Sequence, residues 1–150
     1  MHVALAIQVA VAFCWTGMVL AISFLEAPLK FRAPGITIEL GVGIGRLVFR
    51  ALNAVEAVLA LAVLVTCVVP WPGASWPAVE WWRLILAVAA AVVLAVQAGE
   101  LRRRMDARVL DGRLSDGQPR HRLHIGYIAL EGVKLIVLLA LGVIGLAAPV

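Results

Sequence analysis

Residues 47–69 read LVFRALNAVEAVLALAVLVTCVV, and this stretch decides the fold class. Its charged side chains are Arg50 and Glu56 alone. A helix needs about 20 mostly apolar residues to cross a hydrocarbon core roughly 30 Å thick. Lipid offers backbone amides no hydrogen-bond partner, so a run of this kind crosses as a helix, and it lacks the alternation of a barrel strand. The stretch therefore predicts a transmembrane helix.

Three further apolar stretches have a similar character, at residues 3–25, 82–98 and 125–148. The chain as a whole is 63 % hydrophobic and 15 % charged, with a mean hydropathy of +1.02. Soluble domains carry roughly one-quarter charged residues. The first stretch has no basic segment before it and exceeds a signal-peptide core in length, so we expect it to remain as a helix. The sequence thus predicts an all-α integral membrane four-helix bundle, formed by residues 1–150 as one domain.

Basic residues are unevenly distributed between the connections. The second connection, residues 70–77, has none, whereas eleven of the 13 basic residues lie in or beside the first and third. Short loops rich in Lys and Arg stay in the cytoplasm. We therefore expect a multi-pass protein of the cell (inner) membrane with both termini on the outer side. The eleven residues are Lys30, Arg32, Arg46, Arg50, Arg102, Arg103, Arg104, Arg108, Arg113, Arg120 and Arg122.

The net charge, the cysteines and the tryptophans indicate which partners and cross-links to expect. The net charge of +4 is explained by the membrane topology and by attraction to anionic lipid. The sequence has no recognised nucleic-acid-binding motif, so we expect the bilayer as partner and no nucleic acid. Cys14 and Cys67 should differ in depth by more than ~10 Å, so we expect no disulfide. Aromatic side chains prefer the headgroup level, which predicts an outer anchor made of Trp71, Trp76, Trp81 and Trp82.

The loops contain features that break or modify helices. Pro28 and Pro34 are predicted to stop the first helix. Residues 101–109 have apolar side chains at four-residue spacing among arginines, which predicts an extension of helix three along the membrane surface. Before the second span, three glycines permit either close helix packing or a bent approach, namely Gly41, Gly43 and Gly45.

Polar side chains within the spans are the candidates for function, because each is costly in hydrocarbon and faces protein or a water-filled cavity. At about 100° per residue, they form one stripe on helix two and one on helix four. The first stripe is Arg46, Arg50, Asn53 and Glu56. The second is His121, His124, Tyr127, Glu131 and Lys134.

Glu56, Glu131 and Lys134 should lie at similar depth, where opposite charges lower each other's cost. We predict that Lys134 meets Glu56, Glu131 or both and that Asn53 bridges them, so that these four residues form a ligand or proton site. The other five, Arg46, Arg50, His121, His124 and Tyr127, are predicted to line a cytoplasmic cavity. A buried ion pair can also simply fix helix register, and arginines at a helix edge can extend to lipid phosphates.

Two histidines one turn apart, His121 and His124, invite a metal or haem interpretation. No carboxylate or cysteine is close in sequence to complete a metal site. Residues three apart on one helix also cannot supply two opposed axial ligands to one haem. We therefore predict no metal site, and the sequence leaves any cofactor open.

Short motifs carry two family resemblances. Residues 24–31 read FLEAPLKF and residues 45–49 read GRLVF. They resemble the apolar-Ala-Pro-x-x-Phe and Gly-x-x-Phe opening of a bacterial membrane family with a domain of unknown function, number 4149, which is related to the transmembrane protein 205-like group. The resemblance implies a small four-helix membrane protein with a basic third loop and a histidine before the last span, which His121 or His124 would match.

Residues 50–56 read RALNAVE. They are similar to the Arg-Ala-x-x-Asn-x-x-Glu pattern in helix two of the membrane-associated eicosanoid and glutathione metabolism family, which comprises trimeric four-helix enzymes with outer termini. One residue fewer separates Arg from Asn here, which rotates the arginine on the helix. The resemblance implies that Arg50, Asn53 and Glu56 bind glutathione and that Tyr127 stabilises the thiolate.

Three functions follow as hypotheses. The favoured one is a small binding or transport protein, acting as a homo-oligomer, with a midplane carboxylate and lysine site for a small polar or ionic solute and proton exchange as the driver. The second is a membrane enzyme that acts on a lipophilic substrate with an anionic, glutathione-like cofactor. The third is an accessory subunit whose charged stripe binds a membrane partner. Whether the chain is an enzyme stays open at this level.

Overall fold

The computed structural model of the chain describes residues 2–68, 78–101 and 120–148, which form helices and turns with no strand among them. Four stretches are long and apolar enough to cross a membrane: Val3–Arg32, Ile38–Val68, Glu80–Gly99 and Ile125–Ala147. The predicted all-α architecture with four apolar helices is confirmed at this level. The main α-helices are α1 (His2–Val19), α2 (Ile38–Val68), α3 (Ala78–Val96) and α4 (Arg120–Ala147).

The first helix passes Pro28 instead of stopping before it. After α1 the chain continues as a π-helical segment at Leu20–Glu26, a short α-helical turn and a 3-10 turn that ends at Arg32. Proline has no N–H and its ring crowds the carbonyl of the preceding turn, which an ordinary α-helix cannot accommodate. The wider π turn, in which Ala27 N–H donates to the Ile22 carbonyl, precedes the proline. The prediction that this helix stops at Pro28 is therefore wrong.

The second helix begins at Ile38, whereas the sequence predicted residue 47. Gly35 has a positive φ of 80°, which glycine adopts without strain, and it turns the chain back. Thr37 then caps the new helix, because its Oγ1 accepts a hydrogen bond from Leu40 N–H at 3.2 Å. The cap and the turn together place the Gly-rich segment inside α2. We call residues 33–37 loop 1 and the corresponding end of the bundle the loop-1 end.

Two glycines let the extension of α1 pack closely against α2. A Cβ atom on Gly41 would overlap the aromatic ring of Phe31. A Cβ atom on Gly45 would lie 2.8 Å from Nζ of Lys30. A side chain at Gly41 would therefore displace the Phe31 ring, whereas one at Gly45 requires only the flexible end of Lys30 to move. Of the two roles predicted for these glycines, close packing is the one the contacts support.

Beyond these glycines, all four main helices contribute to an apolar core in two layers. The first layer is Trp15, Val19, Ala60, Ala90, Leu94 and Leu138. The second lies nearer the end where α2 meets α3, which we call the loop-2 end, and consists of Ala12, Val63, Cys67, Ala87 and Leu141. The layers fill the half of the bundle toward the loop-2 end, so that end is packed with apolar side chains.

The outside of the bundle is apolar as well. Large side chains such as Leu47, Val58 and Ile136 are about two-thirds exposed, as expected of helices that face lipid. Trp81 and Trp82 are exposed at the start of α3, in keeping with the predicted aromatic anchor. The other two anchor residues, Trp71 and Trp76, and the surface extension predicted from residue 102 onward lie outside the described residues.

Candidate binding site in the bundle core

A lysine and two glutamates meet in the interior. Lys134 Nζ lies 2.6 Å from Glu56 Oε1 and 3.1 Å from Glu131 Oε2. All three side chains are completely buried. Glu56 is on α2, while the other two are one turn apart on α4. The contact of Lys134 with both carboxylates is the one that the sequence predicted, whereas their role as a ligand or proton site stays a prediction.

Two further side chains complete what we call the charged cluster, namely Trp15, Glu56, Gln97, Glu131 and Lys134. Trp15 Nε1 donates to Glu56 Oε1 at 2.7 Å. Lys134 donates to Gln97 Oε1 at 2.9 Å, and Gln97 Nε2 donates to the Tyr127 carbonyl at 3.5 Å. The ammonium thus lies within 3.1 Å of three oxygens, one each from Glu56, Gln97 and Glu131. The helical-face argument did not include Trp15 or Gln97 in the site.

The carboxylate oxygens of the cluster have fewer hydrogen-bond partners than the ammonium has. Glu56 Oε2 and both oxygens of Glu131 are buried and accept no hydrogen bond of good geometry from a described group, although Lys134 and the Tyr127 hydroxyl lie close enough to Glu131 to interact with it. Buried polar atoms are almost always paired, so each of these atoms requires an explanation. Two carboxylates share one ammonium, and carboxylate oxygens bind a proton or a small cation. With both carboxylates ionised, the cluster carries one negative charge more than its lysine can balance.

Asn53 lies one turn from Glu56 on the same buried face of α2. Its side chain is 6 % exposed, and neither Oδ1 nor Nδ2 makes a hydrogen bond within the described part of the chain. The prediction that Asn53 bridges the carboxylates and the lysine is therefore wrong. The Asn53 amide, whose oxygen and nitrogen make no such hydrogen bond, instead adds a donor and an acceptor to the polar groups available to a ligand.

Aromatic side chains lie between the cluster and the loop-1 end. Tyr127, one turn before Glu131, is buried and packs edge-to-face on Phe49, with ring centroids 5.5 Å apart and planes at 79°. Lys30 Nζ lies 5.6 Å from the Phe49 ring centroid and 3.3 Å from Glu26 Oε2. On this side the cluster is therefore covered by the Phe49 and Tyr127 rings, and the Lys30 ammonium lies over the Phe49 ring.

The five residues predicted to line a cavity do not share one environment. Arg50 is exposed although Glu56 is buried, so the prediction that both face the same interior is wrong. Glu56 follows Arg50 by six residues, which separates the two side chains by about 120° around α2. Arg46 is half-buried, and Tyr127 belongs to the aromatic cover. His121 and His124 lie in the first turns of α4, and their side chains are outside the described part of the structure.

A second set of buried polar residues, which we call the loop-2 network, joins α1, α2 and α3. Arg83 forms an ion pair with Glu80 at 2.6 Å and donates to Gln8 Oε1. Gln8 Nε2 in turn contacts Cys67 Sγ at 3.0 Å. One cation here meets one carboxylate. Cys67 is buried and Cys14 exposed, and both are free thiols, so the prediction of no disulfide is confirmed.

Fold and cluster together describe a four-helix protein, able to cross a membrane, with an ionisable site inside its bundle. Among the described residues, no group of three or more His, Cys, Asp and Glu side chains is placed to hold a metal ion. Comparison with protein-family models, curated proteins and solved structures gave no match. The two family resemblances in the sequence therefore stay predictions.

Proposed function

We propose that the chain is a membrane binding or transport protein in which the charged cluster takes up a small cation or polar solute in exchange for a proton. The observation that carries this proposal is that two completely buried carboxylates, Glu56 and Glu131, share the single ammonium of Lys134. An unbalanced charge is very costly in a low-dielectric interior. A proton or a monovalent cation restores neutrality, so the two can replace each other.

The charge balance also bears on the other two hypotheses. An anionic cofactor such as glutathione is poorly matched to a cluster with surplus negative charge, and the arginine expected to bind it, Arg50, is exposed away from Glu56. An accessory subunit that binds a partner through a charged stripe needs that stripe on its surface. Glu56, Glu131 and Lys134 instead pair with one another inside one chain. Solute binding therefore has the better support.

The packing supports access from the loop-1 end. Two apolar layers, followed by the loop-2 network, lie between the cluster and the loop-2 end. Toward the loop-1 end the described cover is an aromatic pair, Phe49 and Tyr127, with Lys30 beside it. A solute that crosses the membrane requires the apolar layers to separate, so the described conformation corresponds to a state closed at the loop-2 end.

Orientation, membrane and assembly form part of the same proposal. The basic residues around loop 1 and before α4 support a cytoplasmic loop-1 end, with both termini outside the inner membrane. Solute and proton would then exchange with the cytoplasm. Four helices make a thin wall around a pathway, which supports a homo-oligomer as the working unit.

The proposal is tested with proteoliposomes that contain a pH-sensitive dye and are exposed to a gradient of sodium or potassium. The wild-type protein is expected to change the internal pH when the cation gradient is imposed. Glu131→Gln and Glu56→Gln each remove the surplus charge, so either variant should abolish the pH change because no proton is needed for neutrality.

Glu39→Gln is the matched control, since Glu39 is an exposed carboxylate on the same helix as Glu56. It should retain the wild-type response, and all variants should elute as folded protein in size-exclusion chromatography. A wild-type protein that behaves like empty liposomes with both cations would contradict the proposal.

A further inference from the structure

We infer that Glu131 is the carboxylate that exchanges the proton, and that Glu56 stays charged as the fixed counter-ion of Lys134. This assignment rests on the proposed function and divides the roles within its site. It comes from a difference between the two carboxylates, which are equally buried but have different hydrogen-bond donors.

Glu56 is held by two donors on one oxygen. Its Oε1 lies 2.6 Å from Lys134 Nζ and accepts the indole N–H of Trp15 at 2.7 Å. Donors of this kind stabilise the charged form of a carboxylate, and hydrogen bonds to an ionised partner are the strong ones. Trp15 is itself fixed, because it is completely buried in the first apolar layer. Glu56 therefore has a rigid environment suited to the carboxylate.

Glu131 has a weaker set of partners. Lys134 Nζ is 3.1 Å from its Oε2, a longer contact than the one to Glu56, and its other donor is the Tyr127 hydroxyl of the same helix. Neither contact has the geometry of a good hydrogen bond to a Glu131 oxygen. The ionisable groups that face it are Glu56 from α2 and Lys134 and Tyr127 from its own helix. The groups that α1 and the segment after α3 bring to the cluster, Trp15 and Gln97, are neutral.

The resulting step is a simple proton transfer. A proton binds one Glu131 oxygen as an O–H group, and the cluster changes from a net charge of −1 to neutral while the Lys134 and Glu56 pair is unchanged. When a cation arrives, the O–H bond breaks and the proton leaves toward the loop-1 end. Trp15 is thus a positioning residue, because it acts through Glu56 and does not touch the exchanging proton.

Two readouts on the same sample, reconstituted in lipid nanodiscs, test the assignment across a pH titration. Infrared difference spectroscopy follows the C=O stretch of a protonated carboxyl group. Nuclear magnetic resonance of ¹⁵N-labelled tryptophan follows the indole N–H of Trp15, assigned by its loss in Trp15→Phe. The Glu56→Gln variant supplies the position of this resonance when the indole faces a neutral group.

The expected result is a protonated-carboxyl band that appears as the pH falls and is lost in Glu131→Gln. Over the same titration the Trp15 resonance should stay near its alkaline position and should not move to that of Glu56→Gln. Glu39→Gln should reproduce both wild-type signals. If Glu56→Gln folds poorly, the test still stands, because the wild-type titration shows by itself whether band and resonance move together.

A Trp15 resonance that moves with the same midpoint as the carboxyl band would overturn the assignment, since Glu56 would then be the group that gains the proton. The proposed function would survive that result. A wild-type protein with no pH-dependent carboxyl band would contradict both the assignment and proton exchange at this site. The two failures are therefore distinguishable.

Discussion

The charged cluster and the loop-2 network are both buried, and both link several helices, but they differ in charge balance. In the loop-2 network one arginine, Arg83, meets one glutamate, Glu80, and the rest of the network is neutral. In the charged cluster one lysine meets two glutamates. A balanced pair needs no further ligand to be neutral, whereas an unbalanced one does.

Burial reinforces this difference. The side chain of Glu80 retains 17 % exposure, while both carboxylates of the charged cluster have none. A partly exposed carboxylate can be solvated when its partner is lost. A completely buried one depends on its protein partners or on a proton. We therefore propose that the loop-2 network serves the fold and that the charged cluster serves exchange.

The largest expected effect on stability is that of Lys134→Met. This change leaves two buried carboxylates without a cation, and breaking a buried pair in this way costs about 3–5 kcal/mol. We expect a large fall in the thermal unfolding midpoint in detergent and low recovery of folded protein. Adding Glu56→Gln and Glu131→Gln to Lys134→Met should restore much of the loss. If Lys134→Met melts like the wild type, the ammonium is not the element that neutralises the cluster.

A smaller effect is expected for Arg83→Met in the loop-2 network. Gln8 loses a donor, but Glu80 keeps access to solvent, so we expect a loss of about 1–3 kcal/mol, measured by the same thermal unfolding. Arg50→Met is the control, because Arg50 is exposed and its loss should shift the midpoint little. A loss at Arg83 as large as that at Lys134 would remove the energetic distinction between the two regions.

The number and class of the helices followed directly from hydropathy, but their ends did not. The predicted stop at Pro28 ignored a π turn, which changes the backbone before the proline. The predicted start at residue 47 marked where the apolar run begins, although the helix already includes Gly41 and Gly45, where Phe31 and Lys30 pack. Both errors arise because a local rule was applied to positions where tertiary contacts decide.

The angular positions of residues on their helices predicted the charged residues of the cluster better than the neutral residues around them. Glu56, Glu131 and Lys134 lie within regular α-helix, so a constant angle per residue placed them correctly. Gln97 begins a π-helical segment, where that constant angle fails. Trp15 belongs to neither predicted stripe, and nothing in the sequence indicates which carboxylate its indole N–H reaches.

The most direct test of the surplus charge is a count of protons. Purified wild-type protein and Glu131→Gln are titrated in the same detergent from alkaline to neutral pH, a range in which exposed carboxylates stay ionised, and the protons taken up per chain are compared. We expect the wild type to bind about one proton more than the variant, with both proteins folded throughout. Equal uptake would mean that Glu131 holds no exchangeable proton, and it would contradict a charged cluster built around one surplus carboxylate.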